Sequence, residues 1–258
     1  MLAVAWLLAA APSAIRASAT PTEYTKNQAP VYDDDFIGPA PYKTPLYLPT
    51  ADGALSGRII AIDAGHGGYD GGAKGGAGLW EKTYNLQISL ALKDQLTAQG
   101  ATVIMTRDGD YSLADFRPAI RKKRQDMERR AQLVLAGGAE LLVSIHQNEY
   151  RKASEHGPQV FYRADCAAGK AFAALVQTNL NAELLPSSHR KANVGDFYTN
   201  SLGIPSALIE CGFLSNPTEE ANLRDSAYQR RIASAIVKSI TEWFAQENPP
   251  AAAARENR

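Results

Sequence analysis

The chain has 258 residues, no net charge, 45% apolar residues and 21% charged residues. Such a composition belongs to a folded globular protein rather than a disordered or fibrous one, and its charge balance gives no reason to expect nucleic acid as a partner. With only Cys166 and Cys211, a disulfide scaffold and a cysteine-rich metal site are both excluded, so any metal must be held by histidine and carboxylate.

In chain order, Leu2 to Ala11 is an apolar run, followed by Pro12, Ser13 and the A-x-A pattern Ala17-Ser18-Ala19. Residues 1–19 read as a signal peptide or N-terminal anchor, and hence as a mark of export. The run has no basic residue before it and falls short of the roughly 20 apolar residues of a spanning helix; a buried helix is the alternative. Residues 20–57 carry Pro21, Pro30, Pro39, Pro41, Pro45 and Pro49 with the acidic Asp33-Asp34-Asp35, the composition of an extended linker. No other stretch is apolar and long enough to span a membrane, so a membrane tether is expected only through the N-terminus.

From 58 to 246 strand and helix signals alternate. Arg58 to Ile62 is a β-branched run stopping at Gly65-His66-Gly67-Gly68. Glu81 to Gln99 is helical, with Leu86, Leu90 and Leu96 on one side, and ends at Gly100. Ala101 to Arg107 is a strand and Arg117 to Leu135 a helix. Leu141 to Ile145 is a strand closing on His146, Gln159 to Tyr162 an edge strand, and Ala167 to Leu184 a helix. Ser206 to Ile209 is a strand ending at Glu210, and Ala227 to Phe244 a closing amphipathic helix; residues 247–258, with Asn248-Pro249-Pro250, form a disordered tail. This alternation predicts an α/β fold, a single domain with a mostly parallel central sheet flanked by helices. Ligands of such sheets gather beyond the carboxyl ends of the strands, where His66, His146 and Glu210 fall.

A catalytic zinc site takes three protein ligands and leaves one position open, and imidazole and carboxylate both suit the ion. His66 and His146, with one carboxylate among Asp63, Asp70, Glu81 and Glu210, are candidates. A zinc ion so held would acidify a water and polarise a carbonyl, and a second carboxylate would move the proton. Alternatives remain open at this level. His66 and His146 are also readable as a turn cap and a strand-end histidine, Asp63 to Gly68 as a phosphate cradle, and Cys211 as a nucleophile, although its apolar neighbours suit an inert buried thiol better. The basic residues from Arg117 to Arg130 form either a solvated helix face or a contact for an anionic polymer or an acidic partner.

Three segments carry a resemblance. Ile60-Ala61-Ile62-Asp63-Ala64-Gly65-His66-Gly67-Gly68 with Glu81-Lys82, then Ser144-Ile145-His146-Gln147-Asn148, then Leu208-Ile209-Glu210-Cys211-Gly212-Phe213-Leu214-Ser215-Asn216 resemble, in that order, the motifs of the zinc-dependent N-acetylmuramoyl-L-alanine amidases. The resemblance covers about residues 58–246 and implies a catalytic domain over that range. It implies one Zn2+ held by His66, Glu81 and His146, with Glu210 as the catalytic glutamate. Arg130 falls on an arginine position for which a structural or substrate-binding role is implied. The implied reaction is hydrolysis of the amide between N-acetylmuramic acid and L-alanine in peptidoglycan. Glu149 and Cys211 depart from the usual small residues without removing a ligand. Thr106 to Tyr111, the basic helix after it, and Gln159 to Tyr162 make the chain most similar to the germination-specific amidases of spore formers. That similarity implies cortex synthesis, formation of muramic δ-lactam, a place in the cell envelope or between the forespore membranes, and room for a protein activator.

Overall fold

The computed structural model describes residues 45–114, 122–187 and 189–247. In order these form β1 (Leu46–Tyr47), β2 (Ile59–Ala64), α1 (Glu81–Ala98), β3 (Thr102–Met105), α2 (Lys122–Ala136), β4 (Leu141–Asn148), β5 (Gln159–Tyr162), α3 (Ala167–Leu184), β6 (Asn193–Val194), a 3-10 turn (Tyr198–Ser201), β7 (Ser206–Phe213), α4 (Pro217–Arg224) and α5 (Ser226–Glu247). The strands make one sheet in the order β1-β3-β2-β4-β7-β5-β6. β3–β2, β2–β4, β4–β7 and β5–β6 pair parallel, while β1–β3 and β7–β5 pair antiparallel. This is the α/β domain with a mostly parallel sheet that the alternating signals predict.

The central strands are apolar on both faces because both faces are covered. Ile60, Ile62, Val143, Ile145 and Ile209 belong to the larger core, while Ala61, Ile104 and Leu142 point into a smaller one with Val134 of α2. On the larger side α1 buries Tyr84, Ile88, Leu92 and Leu96, one residue every four, which is the stripe a helix needs to lie flat on a sheet. α5 packs along α1 and α3 and adds Ile232, Ile236, Ile240 and Phe244. Among the described residues, no helix is long and apolar enough to cross a membrane.

Several expectations need correction. Pro45 to Gly57 is part of the fold, not of a linker that ends at 57. β1 pairs with β3, Leu55 N donates to Gln99 O at 2.8 Å, and the Leu55 side chain is wholly buried in the main core. Prolines there signal a linker only if their missing N–H matters. Here Pro45 supplies just its carbonyl, to Met105 N at 2.9 Å. β5 is not an edge strand, because β6 pairs beyond it. β4 and β7 run past His146 and Glu210, which face each other in register before a bulge at His146/Asn148. The expectations for residues 1–19, 20–44 and 248–258, and for the start of the basic helix at 117–121, lie outside the described residues.

Candidate metal centre

The site stands on three parallel strands and the start of one helix. His66 follows β2, Glu81 opens α1, His146 lies in β4, and Glu210 lies in β7. His66, Glu81 and His146 each offer a ligand atom within 4.8 Å of the others. His66 Nε2 lies 3.1 Å from Glu81 Oε2, and His146 Nδ1 lies 3.0 Å from Glu81 Oε1.

His66 is held in an unfavourable backbone conformation, with φ +62°. A non-glycine residue persists there only where its surroundings insist on it. Two buried arginines do so. Arg107 donates from Nε to Ala64 O and from Nη2 to Gly65 O, both at 2.8 Å. Arg130 donates from Nη1 to Ala64 O at 2.9 Å and from Nη2 to His66 O at 2.6 Å. Three successive carbonyls of the turn are thus fixed from beneath. The backbone N–H groups of the three glycines are also engaged: Gly65 N goes to Ile145 O, Gly67 N to Asp70 O, and Gly68 N to Asp110 Oδ1. A phosphate cradle needs those N–H groups free, so that alternative fails.

Arg130 has only 3% of its side chain exposed. Its other bonds run to Asp63 Oδ1 and Asp126 Oδ2, each at 2.8 Å. The expectation that it binds substrate is therefore corrected: its guanidinium is occupied within the fold and reaches no ligand surface. Asp63 also accepts from Thr106 Oγ1 and Ser144 Oγ at 2.7 Å, so it supports the turn from below rather than joining the metal group. Burial alone would raise the Asp63 pKa, but the Arg130 charge holds it well below the usual carboxylate range. Burial and the Arg130 charge together lower Arg107 to about 10.

Asp70 sits behind His66, with Oδ1 3.0 Å from Nδ1, which leaves Nε2 to face Glu81. Such a carboxylate behind a histidine fixes ring orientation and tautomer in metal sites. Burial would lower the His66 pKa, but Asp70 and Glu81 outweigh it and raise it to about 9. Glu81 is also buried, yet the two imidazoles keep it well below its ordinary value. Its carboxylate accepts from Ala73 N at 3.0 Å, Gln147 N at 3.1 Å and Asn85 Nδ2 at 3.2 Å. Two glycines make room: a Cβ on Gly65 would sit 2.3 Å from the His146 ring, and one on Gly72, at φ +70°, 2.4 Å from Glu81 Oε2.

Glu210 differs from these groups. Its Oε2 is shut off from solvent and has no hydrogen-bond partner among the described residues. Burial, with the Glu81 charge adding to it and His66 opposing, pushes its pKa up to about 8. Two histidines and a carboxylate that could together hold a metal ion, with a second, buried carboxylate close by, are residue types that suit a zinc site. Of the four candidate carboxylates, Glu81 joins the histidines, Asp70 backs His66, Asp63 is structural and Glu210 stands apart.

Cys166 and Cys211 are both free. Burial, with the Glu210 charge beside it, raises the Cys211 thiol, so no thiolate nucleophile forms there. His156 bonds Ser154 O and Ser187 Oγ away from the centre. Sequence reasoning missed Arg107, Asn85 and Gln147. Arg107 stands two residues beyond the end of β3, a position that could have flagged it.

A model of the N-acetylmuramoyl-L-alanine amidase family, Amidase_3, matches residues 60–242. The germination-specific N-acetylmuramoyl-L-alanine amidase of Bacillus subtilis is 39% identical over 199 residues, covering 76% of this chain and 84% of the relative. Among solved structures, the CwlD amidase from Clostridioides difficile, in complex with the GerS lipoprotein, superposes with a TM-score of 0.71 at 34% identity. It covers 73% of this chain and 99% of that one. The catalytic domain of CwlV, an N-acetylmuramoyl-L-alanine amidase from Bacillus (Paenibacillus) polymyxa var. colistinus, gives a TM-score of 0.64 at 30% identity, over 72% of this chain and 98% of its own. The sheet, the His66–Glu81–His146 group and these matches converge on one assignment: the chain belongs to the N-acetylmuramoyl-L-alanine amidase family and is a peptidoglycan hydrolase.

Proposed function

We propose that the chain cuts the amide between N-acetylmuramic acid and L-alanine using one Zn2+ held by His66, Glu81 and His146, with Glu210 as the catalytic carboxylate. The observation that carries this reading is the buried, unpartnered Glu210 Oε2 beside the histidine–carboxylate group. An orphaned buried acceptor costs about 1–3 kcal/mol, a cost that a catalytic role explains. Zinc, when bound, supplies Lewis acidity toward a carbonyl and acidifies water. The chain's own groups do the rest. Asp70 turns the His66 ring, and Gln147 N, Ala73 N and Asn85 hold the Glu81 carboxylate in place. Glu210 takes the proton of the attacking water and delivers it to the departing alanine amine. A raised proton affinity suits a carboxylate that must hold the proton between those two steps.

The germination-specific relative supports a place in spore-cortex synthesis, where loss of the peptide leaves muramic acid ready for deacetylation and δ-lactam closure. In that setting residues 1–19 are a signal peptide or anchor. The enzyme then works outside the cytoplasm, in the envelope or between the forespore membranes. The lipoprotein bound to the C. difficile relative supports a protein partner here as well.

Chelation of the metal from the full chain is expected to abolish release of peptides from peptidoglycan, and one equivalent of Zn2+ to restore it. Undiminished activity in protein shown to be metal-free would overturn the assignment.

A further inference from the structure

The three residues of the metal group reach their places by different means. β2 and β4 pair in register up to Ala64 and Ile145, and Gly65 N continues the ladder to Ile145 O at 3.0 Å. The sheet itself therefore sets His66 against His146. Glu81 is placed otherwise. It opens α1, and residues 67–80 separate it from His66. α1 lies on the sheet through Tyr84, Ile88, Leu92 and Leu96. Apolar burial of that kind has no direction of its own, so it does not fix the helix along the sheet.

Directed bonds do. Wholly buried Arg107 stands between the two segments. Besides Ala64 O and Gly65 O it reaches the first turn of α1, where Nη2 donates to Lys82 O at 2.8 Å, one residue beyond Glu81. Nη1 donates to Gly109 O at 3.0 Å. A Cβ on Gly67 would meet Arg107 Cδ and Nε at 2.8 Å, so the turn lies directly on this side chain. In contrast to Arg130, Arg107 bonds only backbone carbonyls and no carboxylate among the described residues. Burying a cation without an ion-pair partner is unfavourable, and a planar fork of donors can bridge two segments where a point charge cannot. Further bonds join the same two segments. Lys82 Nζ donates to Gly68 O and to Asp110 Oδ2, both at 2.7 Å, while Gly68 N donates to Asp110 Oδ1 at 2.8 Å. Asn85 Nδ2 of α1 donates to Gly65 O at 3.0 Å.

We propose that Arg107, with the Lys82–Asp110 pair as its counterpart at the surface, is a positioning residue that sets the spacing of His66 and Glu81 and thereby the affinity of the centre for zinc. The inference rests on the reading of that centre as a zinc site. Arg107 touches neither imidazole nor the Glu81 carboxylate. It acts through the backbone on either side of them.

The test measures zinc affinity by competition with a chromogenic chelator, using the full chain at a temperature where every variant is folded. Arg107→Lys keeps the charge and loses the fork, and zinc is expected to bind about tenfold more weakly. Asp110→Ala removes the tie at the surface, where 57% of the Asp110 side chain is exposed, and its affinity is expected to fall about threefold with little change in melting temperature. Leu180→Ala, a truncation in the main core under α3, serves as reference. It is expected to lower the melting temperature and leave zinc affinity at the wild-type value, as a merely structural role for Arg107 would. Wild-type affinity in either Arg107→Lys or Asp110→Ala would overturn the inference while leaving the zinc site intact. Should Arg107→Lys fail to fold, Asp110→Ala alone decides. A wild-type chain that binds no zinc would instead overturn the reading of the centre, and the inference with it.

Discussion

Replacing Glu210 by Gln is expected to lower kcat for muropeptide cleavage about 10³-fold while the zinc content stays at the wild-type level. The amide keeps the size of the carboxyl group and its place in β7, but it can neither take a proton from water nor return one to an amine. Glu210 lies outside the His66–Glu81–His146 group, so the ion has no reason to leave. The atom concerned has no partner to lose, since Glu210 Oε2 is buried and unbonded among the described residues, and the fold should melt near the wild-type temperature. Metal analysis alongside the kinetics separates the possible roles. Loss of zinc would make Glu210 a ligand, and surviving turnover would remove it from catalysis.

The Arg130→Met variant is expected to lose about 3–5 kcal/mol of stability, because it leaves Asp63 and Asp126 buried without their cation. For a domain of this size that lowers the melting temperature by roughly 10 °C. The pH dependence follows from the direction of the Asp63 shift. In the native state its carboxyl is held below the ordinary value, opposite to the pull of burial, mainly by Arg130. The stability it contributes is present above the unfolded value of about 3.9 and disappears as pH falls through the folded one. Without Arg130, burial raises the carboxyl instead. The gap between wild type and variant should therefore be widest near neutral pH and shrink as the solution is acidified below about pH 4. A variant with wild-type melting behaviour and only a raised KM would return Arg130 to substrate binding. Because Arg130 also holds His66 O, weaker zinc retention should accompany the loss of stability.

Much of this fold was legible because its central strands are buried on both faces and its helices carry clean stripes. Continuous runs such as Ile59 to Ile62 and Leu141 to Ile145 leave few other readings, and the limits of α3 came out at Ala167 and Leu184. What was missed lacks periodicity. β1 and β6 have two residues each, too few to show alternation, and they exist because a neighbouring strand offers free backbone groups. α4 did carry a signal that went unused: Asn216 accepts from Thr218 N and Glu219 N, Pro217 follows at the first helical position, and two glutamates occupy the first turn. His66, His146 and Glu210 were legible as residues close to strand ends, whereas Glu81, at the start of α1, was singled out from the other carboxylates only by the motif resemblance. The buried arginines were not, since sequence gives no measure of how deep a charge lies. Arg130 in a basic helix looks like its exposed neighbours until Asp63 and Asp126 appear beside it.

The most direct test of the central claim is a digest of purified peptidoglycan with the zinc-loaded full chain, followed by mass spectrometry of the soluble products. The account predicts free peptides that begin with L-alanine, together with glycan whose muramic acid carries an unsubstituted lactyl carboxylate. Peptides shortened from their far end, or glycan cut between sugars with peptides still attached, would contradict it.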